Sequence, residues 1–256
     1  LKALGYVDYA GRLHWEEGGV NRVAGTLKTA VGSVEGRLAF NGHYEGSLHV
    51  KALRPTLIAQ NQDLPDQLYA TLSGSIARDG SKADLKLALE SGQYRGHFYN
   101  SLQATINKQN DDLRLHLTTK DPAADLSGTV QARLRGTNLE AIRVEADVRQ
   151  LNPGRLNLTR YFGSSSFSGR IKMAVDDLKQ LTGHIKVNDF TLSGTDSPYR
   201  LNQLELSKRY NRLDLKSDFA DLLVKGPIAP ATIKQLLFSL LGRSLPGFFS
   251  KPIASP

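Results

Sequence analysis

Between Ile185 and Leu215 apolar residues return at every second position, with polar or charged residues between them. A period of two matches the pleat of a β-strand, whose successive side chains point to opposite faces. Residues 181–226 therefore read as strand, turn, strand, turn, strand: LTGHIKVNDFTLSG, the turn TDSP, YRLNQLELS, the basic turn KRYN, and RLDLKSDFADLLVKG. Ile185 and Val187 share one phase of the alternation, and Phe190 and Leu192 share the other. One extra residue at Asn188 and Asp189 explains the change, so a bulge is expected there. Leu204, Leu206, Leu213, Leu215 and Phe219 continue the alternation and give a sheet with one apolar and one charged face.

The opening formula of this stretch recurs upstream. Leu72-Ser73-Gly74-Ser75-Ile76, Leu126-Ser127-Gly128-Thr129-Val130, Phe167-Ser168-Gly169-Arg170-Ile171 and Leu181-Thr182-Gly183-His184-Ile185 run apolar, Ser/Thr, Gly, polar, β-branched. Looser copies stand at Gly25, Gly36 and Gly46. Glycine inside a strand packs nothing and costs entropy, so each copy predicts a bend, a bulge or a close backbone approach. A degenerate repeat of one supersecondary unit favours a stacked, elongated sheet of short strands.

Along the chain, residues 1–24 are weakly patterned. Residues 25–59 read as short strands ending in TLIA after Pro55, with Asn41-Gly42 as a hairpin turn. After a polar break at 60–67, residues 69–135 form the most regular meander, and Ile142, Val144, Ala146 and Val148 alternate in a further strand. The pattern breaks at 151–158. After Gly226-Pro227 the period changes, and Ile233, Leu236, Leu237, Leu240 and Leu241 form one helical stripe behind Pro230. The expected segments are thus 1–150 and 151–228, both β-repeat, and 229–256 with an amphipathic helix and an irregular tail. The expected fold is mainly β: an elongated, curled antiparallel sheet with a taco-like groove and that single helix.

Catalytic chemistry finds no foothold. With no cysteine, disulfides and thiolate metal sites are excluded. The six histidines have no metal-ligand spacing and read as solvated strand positions, so no metal and no cofactor is expected. Gly163-Ser164-Ser165-Ser166 has no Walker lysine after it. Asp111-Asp112 and Asp176-Asp177 are sequence neighbours, which a strand would send to opposite faces. The net charge of +8 comes from Lys and Arg interleaved with Asp and Glu, without the aromatic interleaving of a base-stacking platform; no nucleic-acid partner is expected. No run reaches the ~20 apolar residues of a membrane helix. The chain opens on Leu rather than Met and reads as a segment of a longer protein.

Many strands each carry an apolar face, and one helix cannot cover them all. The face either closes on itself as a sandwich or barrel, or forms a trough that holds lipid acyl chains. At ~0.8 kcal/mol per buried methylene, one chain gains on the order of 10 kcal/mol gross from an apolar lining. A transmembrane barrel is disfavoured by strands expected at five to nine residues, by few aromatic girdles and by the terminal helix.

Residues 151–242, above all the order L-x-L-S at Leu204 to Ser207, a basic turn, and L-x-L-x-S-D-F-x-x-x-x-x-G at Leu213 to Gly226, resemble the AsmA/TamB family of Gram-negative envelope proteins. The resemblance implies an elongated periplasmic β protein anchored upstream in the inner membrane. It further implies a groove that carries phospholipid toward the outer membrane, and work with an outer-membrane barrel assembly partner. It carries over no catalytic residue. The groove candidates are Ile185, Val187, Phe190, Leu192, Leu204, Leu206, Leu213, Leu215 and Phe219. On this view aspartate at Leu213 or Leu215 blocks lipid passage and spares the fold. The alternative function is a periplasmic scaffold that helps barrel proteins assemble by strand pairing.

Overall fold

A computed structural model describes residues 5–16, 19–59, 64–94, 96–136, 138–157, 165–177, 182–193, 198–218 and 221–226. The chain forms two compact units, Leu1–Asp121 and Pro122–Pro256. The break at 151–158 falls inside the second unit, at the end of a strand.

The first unit holds β1 (Val7–Glu16), β2 (Gly19–Thr29), β3 (Gly32–Phe40), β4 (His43–Leu53), α1 (Pro55–Ala59), β5 (Gln67–Ala77), β6 (Lys82–Tyr94), β7 (His97–Gln109) and β8 (Asp112–Asp121). The second holds β9 (Ala124–Arg135), β10 (Asn138–Leu151), β11 (Ser166–Asp177), β12 (Thr182–Ser193), β13 (Tyr199–Arg209), β14 (Arg212–Ser217) and β15 (Asp221–Lys225). Within each unit every strand pairs antiparallel with its neighbour in sequence, so strand order is chain order. The fold is mainly β, as the alternation requires.

Three expectations change. The weakly patterned start is two full strands, because Val7, Tyr9, Leu13 and Trp15 alternate with Asp8, Arg12, His14 and Glu16 around a small Gly11. The strands β1 to β13 run nine to fourteen residues, longer than expected, because pairing passes straight through the glycines rather than stopping at them. Length thus no longer argues against a membrane barrel. TLIA is not a strand but the single turn α1, where Leu57 N–H donates to Arg54 O at 3.1 Å. The C-terminal helix expected at 232–241 lies outside the described residues.

Turn chemistry follows the sequence. Gly42 closes the β3–β4 hairpin at φ 70°, and Gly80 closes β5–β6 at φ 70°, a conformation open to residues without a Cβ. Gly74 is different: it sits inside β5 at φ 138°, where a Cβ would lie 1.9 Å from Asp84 O. Close backbone approach between β5 and β6, expected from the glycine formula, is thus present. Gly74→Ala should cost about 1–3 kcal/mol in chemical denaturation, while Gly80→Asn, with nothing within 4 Å of a Cβ, should shift the midpoint little. Equal midpoints for the two variants would show that the β5–β6 approach imposes no constraint.

Candidate functional site

In the first unit the register lines up three apolar rows on one face. Leu13, Val23, Leu38, Gly46, Gly74, Leu85, Ile106 and Leu115 are successive cross-strand partners from β1 to β8. Gly11, Gly25, Gly36, Leu48, Leu72, Leu87, Ala104 and Leu117 form the second row, two residues along each strand. Tyr9, Leu27, Val34, Val50, Ala70, Leu89 and Leu102 form the third. The opposite face carries Arg37, Ser47, Ser73, Lys86, Thr105 and His116. Partners directly across a ladder lie on the same face, so the separation of apolar from polar is a property of the whole unit.

The leucines, valines and isoleucines of these rows stay half-buried or exposed. Among the described apolar residues of the unit, only Val31, Ala70 and Ala104 are fully buried. Neighbours in a row shield the flanks of a side chain, but nothing among the described residues forms a second layer over this face.

The second unit repeats the arrangement. Val130, Val144, Met173, Ile185, Leu206, Leu215 and Leu222 are partners in order from β9 to β15. On the other face Thr129, Glu145, Lys172, Lys186, Glu205, Lys216 and Asp221 form a ladder of mostly alternating charge. Lys172 meets Glu145 at 3.7 Å and Lys186 meets Glu205 at 3.1 Å. Farther along this face Arg212 donates twice to Asp214, at 2.7 and 2.8 Å, and holds that carboxyl below its ordinary pKa.

The bulge expected at Asn188 and Asp189 is present and decides which face the candidates occupy. Between Ser168 and Arg170 the β11–β12 register slips by one residue, with Asp189 at φ 53° and Gly169 opposite. A Cβ on Gly169 would sit 3.2 Å from both Asn188 O and Phe190 Cα. β11 alternates without interruption through Phe167, Gly169 and Ile171, and these flanking residues partner Leu192 and Val187. The extra residue in β12 therefore returns Phe190 and Leu192 to the face of Ile185 and Val187. Asp189, left on the charged face, pairs with Arg170.

β12 and β13 keep one register throughout, so β13 must change phase at the same level. It does so at Asn202 and Gln203, whose successive backbone N–H groups both donate to the Asp218 carboxylate, at 2.6 and 3.2 Å. Two consecutive amides aimed at one side mark a second bulge.

Eight of the nine groove candidates therefore share one face, and Phe219 lies outside the described residues. Ile185, Val187, Phe190 and Leu204 are half-buried, and Phe190 stacks on Phe167 with ring centroids 5.9 Å apart. Leu192, Leu206, Leu213 and Leu215 are buried, at 1%, 8%, 3% and 3% exposure. The last three form a tight cluster with Ile185, Leu204, Leu222 and Val224 packed against it. The more open apolar surface lies in the first unit, in rows that include Leu72, Leu85 and Leu87. Its signal was present in the clean alternation of Leu85, Leu87 and Leu89, but alternation within one strand does not say how eight strands will align.

Other polar features have structural explanations. Asp121, buried at 2% exposure, accepts from Asn100 N–H at 3.1 Å and meets His97 Nε2 at 3.3 Å, which fastens the end of β8 to the start of β7 beyond their ladder. A depression of about 570 Å³ on the charged face is lined by Lys186 and Glu205, already paired, with His184 and Arg209 beside them. Among the described residues no three His, Asp or Glu side chains gather to hold a metal.

These features define a class: a mainly β protein of antiparallel meanders, each with one apolar and one charged face. No protein-family model, no curated protein and no solved structure matches the chain.

Proposed function

We propose that this chain is a non-enzymatic, lipid-binding segment of an envelope protein, whose apolar face receives the acyl chains of phospholipid. One observation carries the proposal: three contiguous apolar rows, two across eight strands of the first unit and one across seven, keep their large side chains half-buried or exposed. An aliphatic face of that extent in water is a binding surface or an aggregation hazard. Acyl chains suit it because they ask for continuous apolar contact and no directed hydrogen bond. The resemblance of residues 151–242 to the AsmA/TamB family supports placing the segment in the periplasm, in phospholipid movement between inner and outer membranes and in outer-membrane biogenesis.

The experiment is mass spectrometry of lipid extracted from the chain, purified without displacing detergent, beside Leu87→Asp. Leu87 sits mid-row between Leu72 and Ala104 and is half-buried, so a charge there can reach water while interrupting the apolar path. The expected result is stoichiometric phospholipid in the parent chain and about a tenfold loss in the variant, a change in binding free energy of about 1.4 kcal/mol, with cooperative unfolding retained. A lipid-free parent that folds cooperatively would overturn the proposal.

A further inference from the structure

The hairpin that joins β13 to β14 carries features that its fold does not ask for. Arg209 and Arg212 are direct partners across its mouth, and Lys225 of β15 is the next partner in the same row. Like charges directly opposite each other on a ladder destabilise it. All three side chains are exposed on the charged face, where the adjoining row supplies one carboxylate, Asp214, held by Arg212. Glu205 is paired with Lys186, and Asp176 lies two strands away on β11. Among the described residues, three cations thus face one carboxylate at this corner.

The turn itself, Tyr210-Asn211, holds Tyr210 at φ 46°. Other tight turns of the chain give positive φ to residues that tolerate it: Gly42, Gly80 and Asn110. A tyrosine there is strained, and at 75% exposure it is the most exposed large apolar side chain among the described residues. Leu223, the partner of Asp214, adds a second exposed apolar group on the charged face. A cationic row flanked by an exposed ring and an exposed leucine matches the boundary of an anionic bilayer. There phosphates receive the cations, and aromatic and aliphatic groups enter the headgroup layer. A nucleic-acid strand would instead call for further aromatics to stack successive bases, and the corner offers one.

We propose that the corner formed by Arg209, Tyr210, Arg212, Leu223 and Lys225 docks this protein on the surface of an anionic phospholipid bilayer. The cations meet lipid phosphates while Tyr210 and Leu223 sink among the headgroups. This contact uses headgroups rather than acyl chains, so it stands apart from any lipid held on the apolar rows. It also gives a reason for two local conflicts: like charges face each other and a tyrosine is strained where a partner outside the chain uses them.

Flotation of the purified chain with lipid vesicles tests it. Binding is expected to phosphatidylcholine vesicles that contain about one-third phosphatidylglycerol and not to phosphatidylcholine alone. It should vanish at about 1 M salt, where the screening length falls to about 3 Å. Arg209→Glu should weaken binding about tenfold or more, and Tyr210→Asn about threefold. Neither should lower the denaturation midpoint, because glutamate gains Arg212 as its partner and asparagine accepts positive φ. Lys86→Glu, on the charged face of the first unit, changes net charge equally and should leave binding unchanged. A lipid-free parent that still binds anionic vesicles would support this contact while the apolar-row reading falls. Equal binding to both vesicles, equal losses from Arg209→Glu and Lys86→Glu, or displacement of the vesicles by inorganic phosphate or a short oligonucleotide at constant ionic strength would each overturn the proposal.

Discussion

Leu215→Asp is expected to unfold the last strands of the described chain rather than to block a groove. Leu215 is 3% exposed, lies between Leu206 and Leu222 as their cross-strand partner, and packs with Leu213 in the cluster that joins β13, β14 and β15. A carboxylate there sits among Leu206, Leu213 and Leu222, one step diagonally from Lys208, the partner of Leu213, and must either stay charged with little water or force the hairpin open toward that lysine. The expected loss is about 4 kcal/mol or more, read as a lower guanidinium midpoint and as lost amide-exchange protection across β13–β15. The expectation that aspartate at Leu213 or Leu215 would spare the fold is therefore revised, and the lipid test moves to half-buried Leu87. An unchanged midpoint for Leu215→Asp would mean that the cluster contributes little and that water reaches it.

Deleting Asp189 is expected to have an effect of similar size by another route. Without the extra residue β12 alternates strictly, and Phe190 and Leu192 turn from the apolar face to the charged one, against the neighbours of Arg170 and Lys172. At about 1.5–3 kcal/mol for each large side chain returned to water, the loss comes to roughly 3–6 kcal/mol. Asp189→Gly keeps the residue and the φ of 53° and should cost far less, because only the ion pair with Arg170 is lost. Denaturation of the two variants side by side separates the backbone insertion from its side chain. A deletion variant as stable as Asp189→Gly would show that β12 re-registers freely and that the bulge does not set the face.

The bulge was legible because residue type and period disagreed at one place: Val187 and Phe190 are three apart in a strand of period two. The matching bulge in β13 was equally written, in the three-residue step from Leu201 to Leu204, but nothing local marks which backbone groups Asp218 will collect. Glycine misled in the opposite direction. It made the strands look shorter than they are: Gly36 and Gly46 remain paired within long strands, since hydrogen bonding along a ladder does not need a side chain, while the close backbone approach expected at these copies is present, with a Cβ falling 2.2 Å from Ser47 O and 2.1 Å from Arg37 O. Burial was the least visible property. Leu85 and Leu213 stand in similar alternation, and only the arrangement of neighbouring strands leaves one half-exposed and seals the other.

Strand order equal to chain order has a further consequence for how such a chain comes into being. Each strand completes its hydrogen bonds with the segment just before and just after it, so the loops closed on folding are short and the entropy of closing them is small. Within a unit a hairpin can join the growing sheet as soon as it is available, without waiting for a distant partner. A chain delivered from one end, as from a ribosome or through a membrane pore, meets its partners in the order in which they arrive. The same economy makes each unit one-dimensional in evolution: a hairpin gained or lost within the row re-forms the same two faces, and the surface lengthens or shortens by one step at a time.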